Sequence, residues 1–294
     1  MILNVSGRTD IVAFYTPWFL NRMKEGFFDV RNPFQPKLIN RIFVKDVDAI
    51  VFCTKNPHPI LPYLKYIKKP MLFQVTLTGY KKDIERNVPD KKMVLEDILE
   101  LSNVLGKENV IVRYDPIFLS DSYTVDYHIK AFRRICEVLD GKIQKIIISF
   151  LDEYKNVIKN QSFLKYHSFL ESDFEKIGRE FSQIAHSHHI LVHTCFEERN
   201  LSEYGMDVGE CLSHQTAYMM TGKKFSDWKA RKGRKCHCVQ MIDIGAYNTC
   251  NHLCRYCYAN FDEKKIHNYC LLHNPNSSLL IGEIENGDII KERK

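Results

Sequence analysis

Short apolar runs alternate with longer amphipathic stretches along most of the chain. The runs lie at 2–6, 49–54, 71–78, 110–118, 145–152, 190–196 and 241–248, and their β-branched residues predict strands. Stretches 16–27, 91–106, 124–141 and 171–189 repeat apolar residues every three or four positions, which predicts helices with Thr124 and Ser172 as N-caps. Nearly continuous apolar strands separated by helices are typical of a parallel sheet that helices cover.

This alternation predicts an α/β fold, a TIM-like parallel (β/α) barrel that is either partial or closed. Residues 1–195 form the predicted barrel core. The alternation then stops, so residues 196–240 are predicted to be a cysteine-containing insertion. Residues 241–282 hold the last strand and a C-terminal cysteine loop, and residues 283–294 form a tail.

Polar side chains recur at the carboxyl end of each predicted strand, which in a parallel barrel is the face where sites are built. Taken singly, each of these residues is equally well a turn former or a loop cap. Those predicted to bind substrate or to transfer protons are Asp10, Lys55 and Asp152.

Composition bears on the possible partners of the protein, on its cellular compartment and on the role of its cysteines. A net charge of +6 permits an anionic substrate or nucleic acid, although an ordinary solvated surface gives the same value. Neither a leader-like segment nor an apolar run of membrane-spanning length stands out, so we expect a cytoplasmic protein without a membrane partner. Disulfides are rare in that compartment, and the clustered members of the ten cysteines therefore predict metal ligands.

The stretch TCNHLCRYCYANF (249–261) brings Cys250, Cys254 and Cys257 within eight positions. Spacers of three and two residues allow the three thiolates to converge on one centre. Three sulfurs can bind a four-iron cluster and leave its fourth iron open, whereas complete zinc sites normally need a fourth protein ligand. His252 lies inside the loop and keeps a Cys3His zinc site as an alternative.

The segment CNHLCRYC resembles the Cys-x3-Cys-x2-Cys signature of the radical S-adenosylmethionine superfamily, including the aromatic Tyr256 before the last cysteine. CRYCYAN is especially similar to the form found in spore photoproduct lyase and its relatives. The resemblance implies a [4Fe-4S] cluster at the mouth of a β/α barrel. It also implies that the open iron chelates S-adenosylmethionine, which one-electron reduction cleaves to methionine and a 5′-deoxyadenosyl radical.

We therefore predict a radical S-adenosylmethionine enzyme of unknown substrate, reduced by a donor such as flavodoxin or ferredoxin. On the same resemblance, Tyr256 of the cluster loop and several strand-end residues are expected to bind the cofactor. Arg113 suits a carboxylate because its guanidinium can donate two hydrogen bonds. The other strand-end candidates are Thr76, Thr78, Asp115 and Ser149.

The chain also resembles, over nearly its full length, a bacterial family catalogued as domain of unknown function 1848. The segments that carry this resemblance include SGRTDIVAFY, RNPFQP, VFCTKNP, VTLTGY, VRYDPI and CHCVQMIDIGAYNTC. In the wider superfamily the cluster loop follows the first barrel strand, but here it follows the last. We therefore predict a circular permutation in which strand 241–248 lies beside strand 2–6.

Four further cysteines, Cys195, Cys211, Cys236 and Cys238, are enough for a second metal site. An auxiliary [4Fe-4S] cluster is favoured over zinc because many radical enzymes carry one. The alternative function is a zinc or iron-sulfur protein that binds nucleic acid without radical catalysis. It rests on seven basic residues between Lys223 and Lys235, with Phe225 and Trp228 among them, although a solvated loop explains this run more simply.

Overall fold

The computed structural model describes residues 1–195, 197, 199–228 and 237–293. Its strands are β1 (Ile2–Val5), β2 (Phe27–Asn32), β3 (Gln35–Phe43), β4 (Ala49–Thr54), β5 (Met71–Thr76), β6 (Val110–Ile117), β7 (Lys145–Phe150), β8 (Leu191–Thr194), β9 (Asp207–Val208), β10 (Met241–Asp243) and β11 (Ile289–Glu292). The seven predicted strands are all confirmed, as β1, β4, β5, β6, β7, β8 and β10.

The α-helices are α1 (Ile11–Phe14), α2 (Thr16–Glu25), α3 (Lys91–Leu105), α4 (Val125–Leu139), α5 (Lys155–Lys159), α6 (Gln161–Leu164), α7 (Glu171–Ser187), α8 (His214–Thr221) and α9 (Glu263–Leu271). Short 3-10 helices span Val44–Asp46, His58–Tyr66, Lys107–Asn109 and Ser202–Tyr204. The Thr124 hydroxyl caps α4 by accepting a hydrogen bond from Tyr127 N, as predicted. Ser172 is not an N-cap, because α7 begins one residue earlier at Glu171.

Eight strands of the described residues form one parallel sheet in the order β10-β1-β4-β5-β6-β7-β8-β9. Strand β10 pairs with β1 in the register Ile2–Met241 and Asn4–Asp243, so the predicted neighbourhood of the last and first strands is confirmed. Strands β10 and β9 are the sheet edges, and no pairing within the described ranges closes them into a barrel. The fold is therefore α/β with a large parallel sheet.

Both faces of this sheet are apolar, and two different layers cover them. On one face, Phe52, Phe73 and Ile148 belong to the main core together with residues of the helices. On the other face, Val51 and Ile147 belong to a second cluster that includes Leu212, Ala217 and Val239 from the predicted insertion. A strand that is buried on both faces needs apolar residues at every position, which explains the continuous apolar runs.

A second sheet of three strands, in the order β11-β3-β2, was not predicted. Asn32 interrupts the alternation and makes the turn, since its Oδ1 accepts hydrogen bonds from Phe34 N and Gln35 N. Strand β11 lies within the predicted tail and pairs in parallel with β3. This sheet brings Phe34, at the tip of the β2–β3 hairpin, to the carboxyl ends of the main sheet.

Within the described part of the chain, no helix has the length and apolar character needed to span a bilayer.

Replacing Phe132 with alanine tests the packing of α4 on α7. The Phe132 and Phe181 rings are fully buried and stack with their centroids 3.9 Å apart. The cavity left by Phe132→Ala is expected to lower the free energy of unfolding by roughly 3–5 kcal/mol. Urea unfolding followed by tryptophan fluorescence measures this loss.

Phe34→Ala is the matched control, because this ring is 83% exposed. Its effect is expected to stay within about 0.5 kcal/mol. Equal unfolding midpoints for the two variants would contradict the described core.

Candidate functional site

A cavity of about 760 Å³ opens at the carboxyl ends of the parallel strands. Described cysteines of both groups that the sequence singles out line it. Strand-end residues and cluster-loop residues form its wall together; among them are Asp10, Lys55, Thr76, Arg113, Asp115, Ser149, Asp152, Cys195, Cys211, Cys238, Cys250, Cys254, Tyr256 and Cys257. A volume of this size is ordinary for a site that binds a cofactor and a small molecule.

The loop with Cys250, Cys254 and Cys257 leaves the sheet directly after β10. Side-chain amides hold its backbone: Asn260 Nδ2 donates to Cys250 O at 2.8 Å, and Asn156 Nδ2 donates to Cys257 O. On the other side of the loop, Arg255 N donates to Ile84 O at 3.0 Å. These bonds place the three free thiols on the cavity wall.

His252, inside the cysteine loop, is held as a hydrogen-bonding partner. It is 2% exposed, its Nε2 lies 2.9 Å from Asp10 Oδ2, and its Nδ1 lies 3.4 Å from Asn87 O. Both ring nitrogens therefore have protein partners. This arrangement disfavours the Cys3His zinc alternative, because a zinc ligand needs one free ring nitrogen.

Asp10 links this loop to the neighbouring strand. Its carboxylate accepts hydrogen bonds from Ala13 N (2.9 Å), Thr54 Oγ1 (2.8 Å) and Lys55 N (2.7 Å), besides the contact with His252. Four partners occupy the acceptor sites of a buried carboxylate that also caps α1. The structure thus gives Asp10 a positioning task beside the predicted ligands.

Glu85 is the centre of a buried charge network that the sequence did not indicate. Its carboxylate accepts hydrogen bonds from Lys55 Nζ (2.8 Å), Thr78 Oγ1 (2.8 Å), Tyr256 Oη and Lys91 Nζ. Burial by itself raises the pKa of Glu85, but the charges of Lys55 and Lys91 outweigh it and hold that pKa well below its usual range. The ammonium groups of Lys55 and Lys91 therefore share the single carboxylate of Glu85.

The Lys55 side chain of this network is 14% exposed and lines the cavity. Burial lowers the pKa of Lys55, but Glu85 and the nearby Cys254 raise it by more, so the ammonium form is favoured. Its Nζ lies 5.4 Å from the centre of the Tyr256 ring. Thr78 supports the network from outside the cavity wall, so these three predicted residues meet at Glu85 rather than acting separately.

Arg113 lies at the second cysteine group. Its Nη1 donates to Cys211 Sγ at 2.8 Å, and its Nε donates to Asp115 Oδ2 at 3.0 Å. Ser149 Oγ donates to the other carboxylate oxygen of Asp115. Arg113, Asp115 and Ser149 are thus brought together on the cavity wall, while Thr76 lies beside Arg113 in the β5–β6 register.

The ligand atoms of Cys195, Cys211 and Cys238 all lie within 4.8 Å of one another, so this triplet can hold a metal. Cys195 Sγ and Cys211 Sγ are 2.8 Å apart, and Cys211 N donates to Cys238 Sγ at 3.2 Å. Cys236, the fourth predicted ligand of this group, lies outside the described residues.

Asp152 and the basic run from Lys223 to Lys235 are the remaining predicted features of the site. Asp152 lies on the cavity wall and has partners in the structure. Of the basic run, residues 229–235 lie outside the described residues, Lys223 Nζ binds Asp48 Oδ1 at 2.6 Å, and Trp228 lines the cavity.

Asp243 is a site residue that the sequence analysis missed. It ends β10, and its carboxylate accepts hydrogen bonds from Gly7 N at 2.6 Å and Ser6 Oγ at 2.8 Å. A carboxylate in an apolar run is a usable sequence signal, since a charge that ends a buried strand needs partners. Glu85 offers no comparable signal, because it lies in a polar loop among lysines.

A comparison with protein-family models found that residues 2–259 match the model described as Domain of unknown function (DUF1848). The chain belongs to this family, and the matched range includes all seven cysteines predicted to bind metal. A search of curated proteins found no match.

Glu85→Gln tests the shared carboxylate. The variant leaves Lys55 and Lys91 buried beside a neutral amide, and we expect the free energy of unfolding to fall by roughly 3–5 kcal/mol. Urea unfolding measures the loss. Adding Lys91→Met to Glu85→Gln removes one of the two unpaired cations, and the double variant is expected to regain part of the lost free energy of unfolding.

Glu263→Gln is the matched control, because Glu263 pairs with Arg86 at the surface and its side chain is 54% exposed. A surface pair of this kind contributes at most about 1 kcal/mol. If Glu85→Gln cost no more than Glu263→Gln, the buried network would not have the described charges.

Proposed function

We propose that this member of the domain of unknown function 1848 family is a radical S-adenosylmethionine enzyme, with a [4Fe-4S] cluster on Cys250, Cys254 and Cys257. The observation that carries the proposal is the set of three free thiols on one cavity wall, next to a histidine whose two nitrogens already have partners. Three thiolates beside a histidine that is already engaged suit a cluster with one open iron.

The residues present fit such a group. The three cysteines line a cavity with room for a molecule of the size of S-adenosylmethionine beside the cluster. The sulfurs of Cys250, Cys254 and Cys257 do not all lie within 4.8 Å of one another. Among the described residues only Cys195, Cys211 and Cys238 meet that limit, so the loop sulfurs are further apart than the ligands of a single ion. A cubane needs such spacing because each thiolate binds a different iron.

When bound and reduced, the cluster supplies one electron that cleaves S-adenosylmethionine into methionine and a 5′-deoxyadenosyl radical. The chain's own residues prepare the place for this chemistry. Burial raises the pKa of the Cys254 thiol, and the positive charge of Lys55 beside it opposes part of that rise. Asp10 holds His252 and the first turn of α1, and so keeps the loop in one conformation.

The remaining wall residues are proposed to receive the cofactor and the substrate. Thr76, Asp115 and Ser149 present hydroxyl and carboxylate groups at the ends of three adjacent strands. Arg113 is already bound to Asp115 and Cys211, and we assign it to the organisation of this wall. Asp152 stays our candidate for substrate binding or proton transfer.

We also propose that the sheet is a partial, circularly permuted β/α barrel. The supporting observation is the parallel β1–β10 pairing, which puts the loop after the last strand beside the loop after the first. Reduction requires an electron donor such as flavodoxin or ferredoxin. The auxiliary [4Fe-4S] cluster expected from the sequence at the second cysteine group is the alternative to the assignment made for that group below.

Cys254→Ala tests the proposed cluster. Anaerobically prepared wild-type protein is expected to hold about four irons at this loop. With dithionite it should form 5′-deoxyadenosine from S-adenosylmethionine. The variant removes one cluster ligand, so the rate should fall by more than about 100-fold and the iron of this loop should be lost.

Cys136→Ala is the matched control, because Cys136 is fully buried in α4 and does not line the cavity. It should keep both iron and cleavage. Continued formation of 5′-deoxyadenosine by Cys254→Ala would rule out the assigned cluster. Colourless, zinc-loaded wild-type protein that a nucleic-acid column retains in a salt-dependent way would instead support the binding-protein alternative.

A further inference from the structure

The second cysteine group differs from the loop triplet in how closely its sulfurs approach one another. Cys195, Cys211 and Cys238 form the one group found among the described Cys, His, Asp and Glu side chains with all ligand atoms within 4.8 Å. Thiolates 2.3 Å from a single tetrahedral zinc ion lie about 3.8 Å apart, a distance between the 2.8 Å that separates Cys195 Sγ from Cys211 Sγ and the 4.8 Å limit that holds the whole group. In a cubane the thiolates bind separate irons and are held further apart. The spacing of this group therefore suits one ion.

Hydrogen-bond donors already surround these sulfurs. Arg113 Nη1 donates to Cys211 Sγ at 2.8 Å, and Cys211 N donates to Cys238 Sγ at 3.2 Å. Gln74 Nε2 donates to Cys211 O at 2.7 Å and fixes the backbone of the same residue. N–H donors to ligand sulfurs and to the ligand's backbone are the outer contacts that orient metal ligands.

The three cysteines come from separate segments that need a common attachment. Cys195 follows β8, Cys211 precedes α8, and Cys238 precedes β10. The described part of residues 199–240 adds only short elements, a 3-10 turn, the two-residue β9 and α8. A segment with so little regular structure gains most of its stability from a ligand that closes it onto the sheet.

We propose that Cys195, Cys211 and Cys238 hold one zinc ion, with water from the cavity as its fourth ligand. The ion fastens the 199–240 segment to the face of the parallel sheet opposite the main helical core. Leu212, Ala217 and Val239 of this segment pack on Val51 and Ile147 of that face. The ion lies beside this apolar contact and forms part of the cavity wall. The inference does not rest on radical catalysis, and it replaces the second [4Fe-4S] cluster that the sequence led us to expect.

Metal content of the wild-type chain tests the proposal. The protein is purified anaerobically from cells supplied with both iron and zinc, and without chemical reconstitution, which would load iron into thiolate sites. We expect one zinc per chain. X-ray absorption at the zinc edge should show sulfur neighbours at about 2.3 Å and no short metal–metal distance. A zinc-free chain with about eight irons would overturn the proposal.

Two alanine variants separate this site from the loop cluster. Cys211→Ala should lose the zinc and keep the iron, whereas Cys254→Ala should lose iron and keep the zinc. Cys136→Ala should keep both metals. Loss of half the iron in Cys211→Ala, with zinc unchanged, would identify a second cluster and refute the single-ion site.

Limited proteolysis of wild-type protein gives a readout that does not depend on a variant folding. Removal of zinc by a chelator should speed cleavage within 199–240 several-fold, while the rate of cleavage elsewhere stays the same. Unchanged cleavage of that segment after zinc removal would contradict the fastening role. A chain that holds zinc but cleaves no S-adenosylmethionine would reject the proposed function and leave this site standing.

Discussion

The parallel pairing of β10 with β1 is the interaction on which the site depends. It joins residues 241–243 to residues 2–4, and so brings the end of the matched family domain beside its beginning. Asp243 then reaches Gly7 N and Ser6 Oγ, which ties the turn after β1 to the end of β10. The carboxyl ends of parallel strands meet at one edge of a sheet, and the cysteine loop that follows β10 therefore opens there.

Buried charges keep that loop in place. Asp10 binds His252, and Glu85 binds Tyr256, so two carboxylates from early segments each hold one side chain of the cysteine loop. Buried carboxylates are costly unless cations or hydrogen-bond donors satisfy them. Lys55 and Lys91 satisfy Glu85, and together the two contacts couple the loop's conformation to the rest of the fold.

The two cysteine groups reach the same cavity but differ in spacing. The chain brings Cys195, Cys211 and Cys238 within 4.8 Å of one another, and it presents Cys250, Cys254 and Cys257 at the carboxyl edge. The two groups offer the same kind of ligand and differ in how closely their sulfurs approach one another. A cavity lined by one closely spaced and one more widely spaced cysteine group can hold the proposed zinc ion and the proposed iron-sulfur cluster side by side.

The sequence by itself determined the α/β class, all seven principal strands, the four longer helices and both groups of cysteines, because apolar periodicity and ligand spacing are local properties. It did not reveal the three-stranded sheet, whose hairpin breaks the alternation at Asn32 and whose third strand comes from the predicted tail. Only the tertiary structure placed Glu85 and Lys91 beside Tyr256 and assigned Arg113 to Cys211. The Glu85–Tyr256 and Arg113–Cys211 contacts join residues 171 and 98 positions apart. No local pattern encodes them, since long-range charge pairing is decided by how the strands and loops pack.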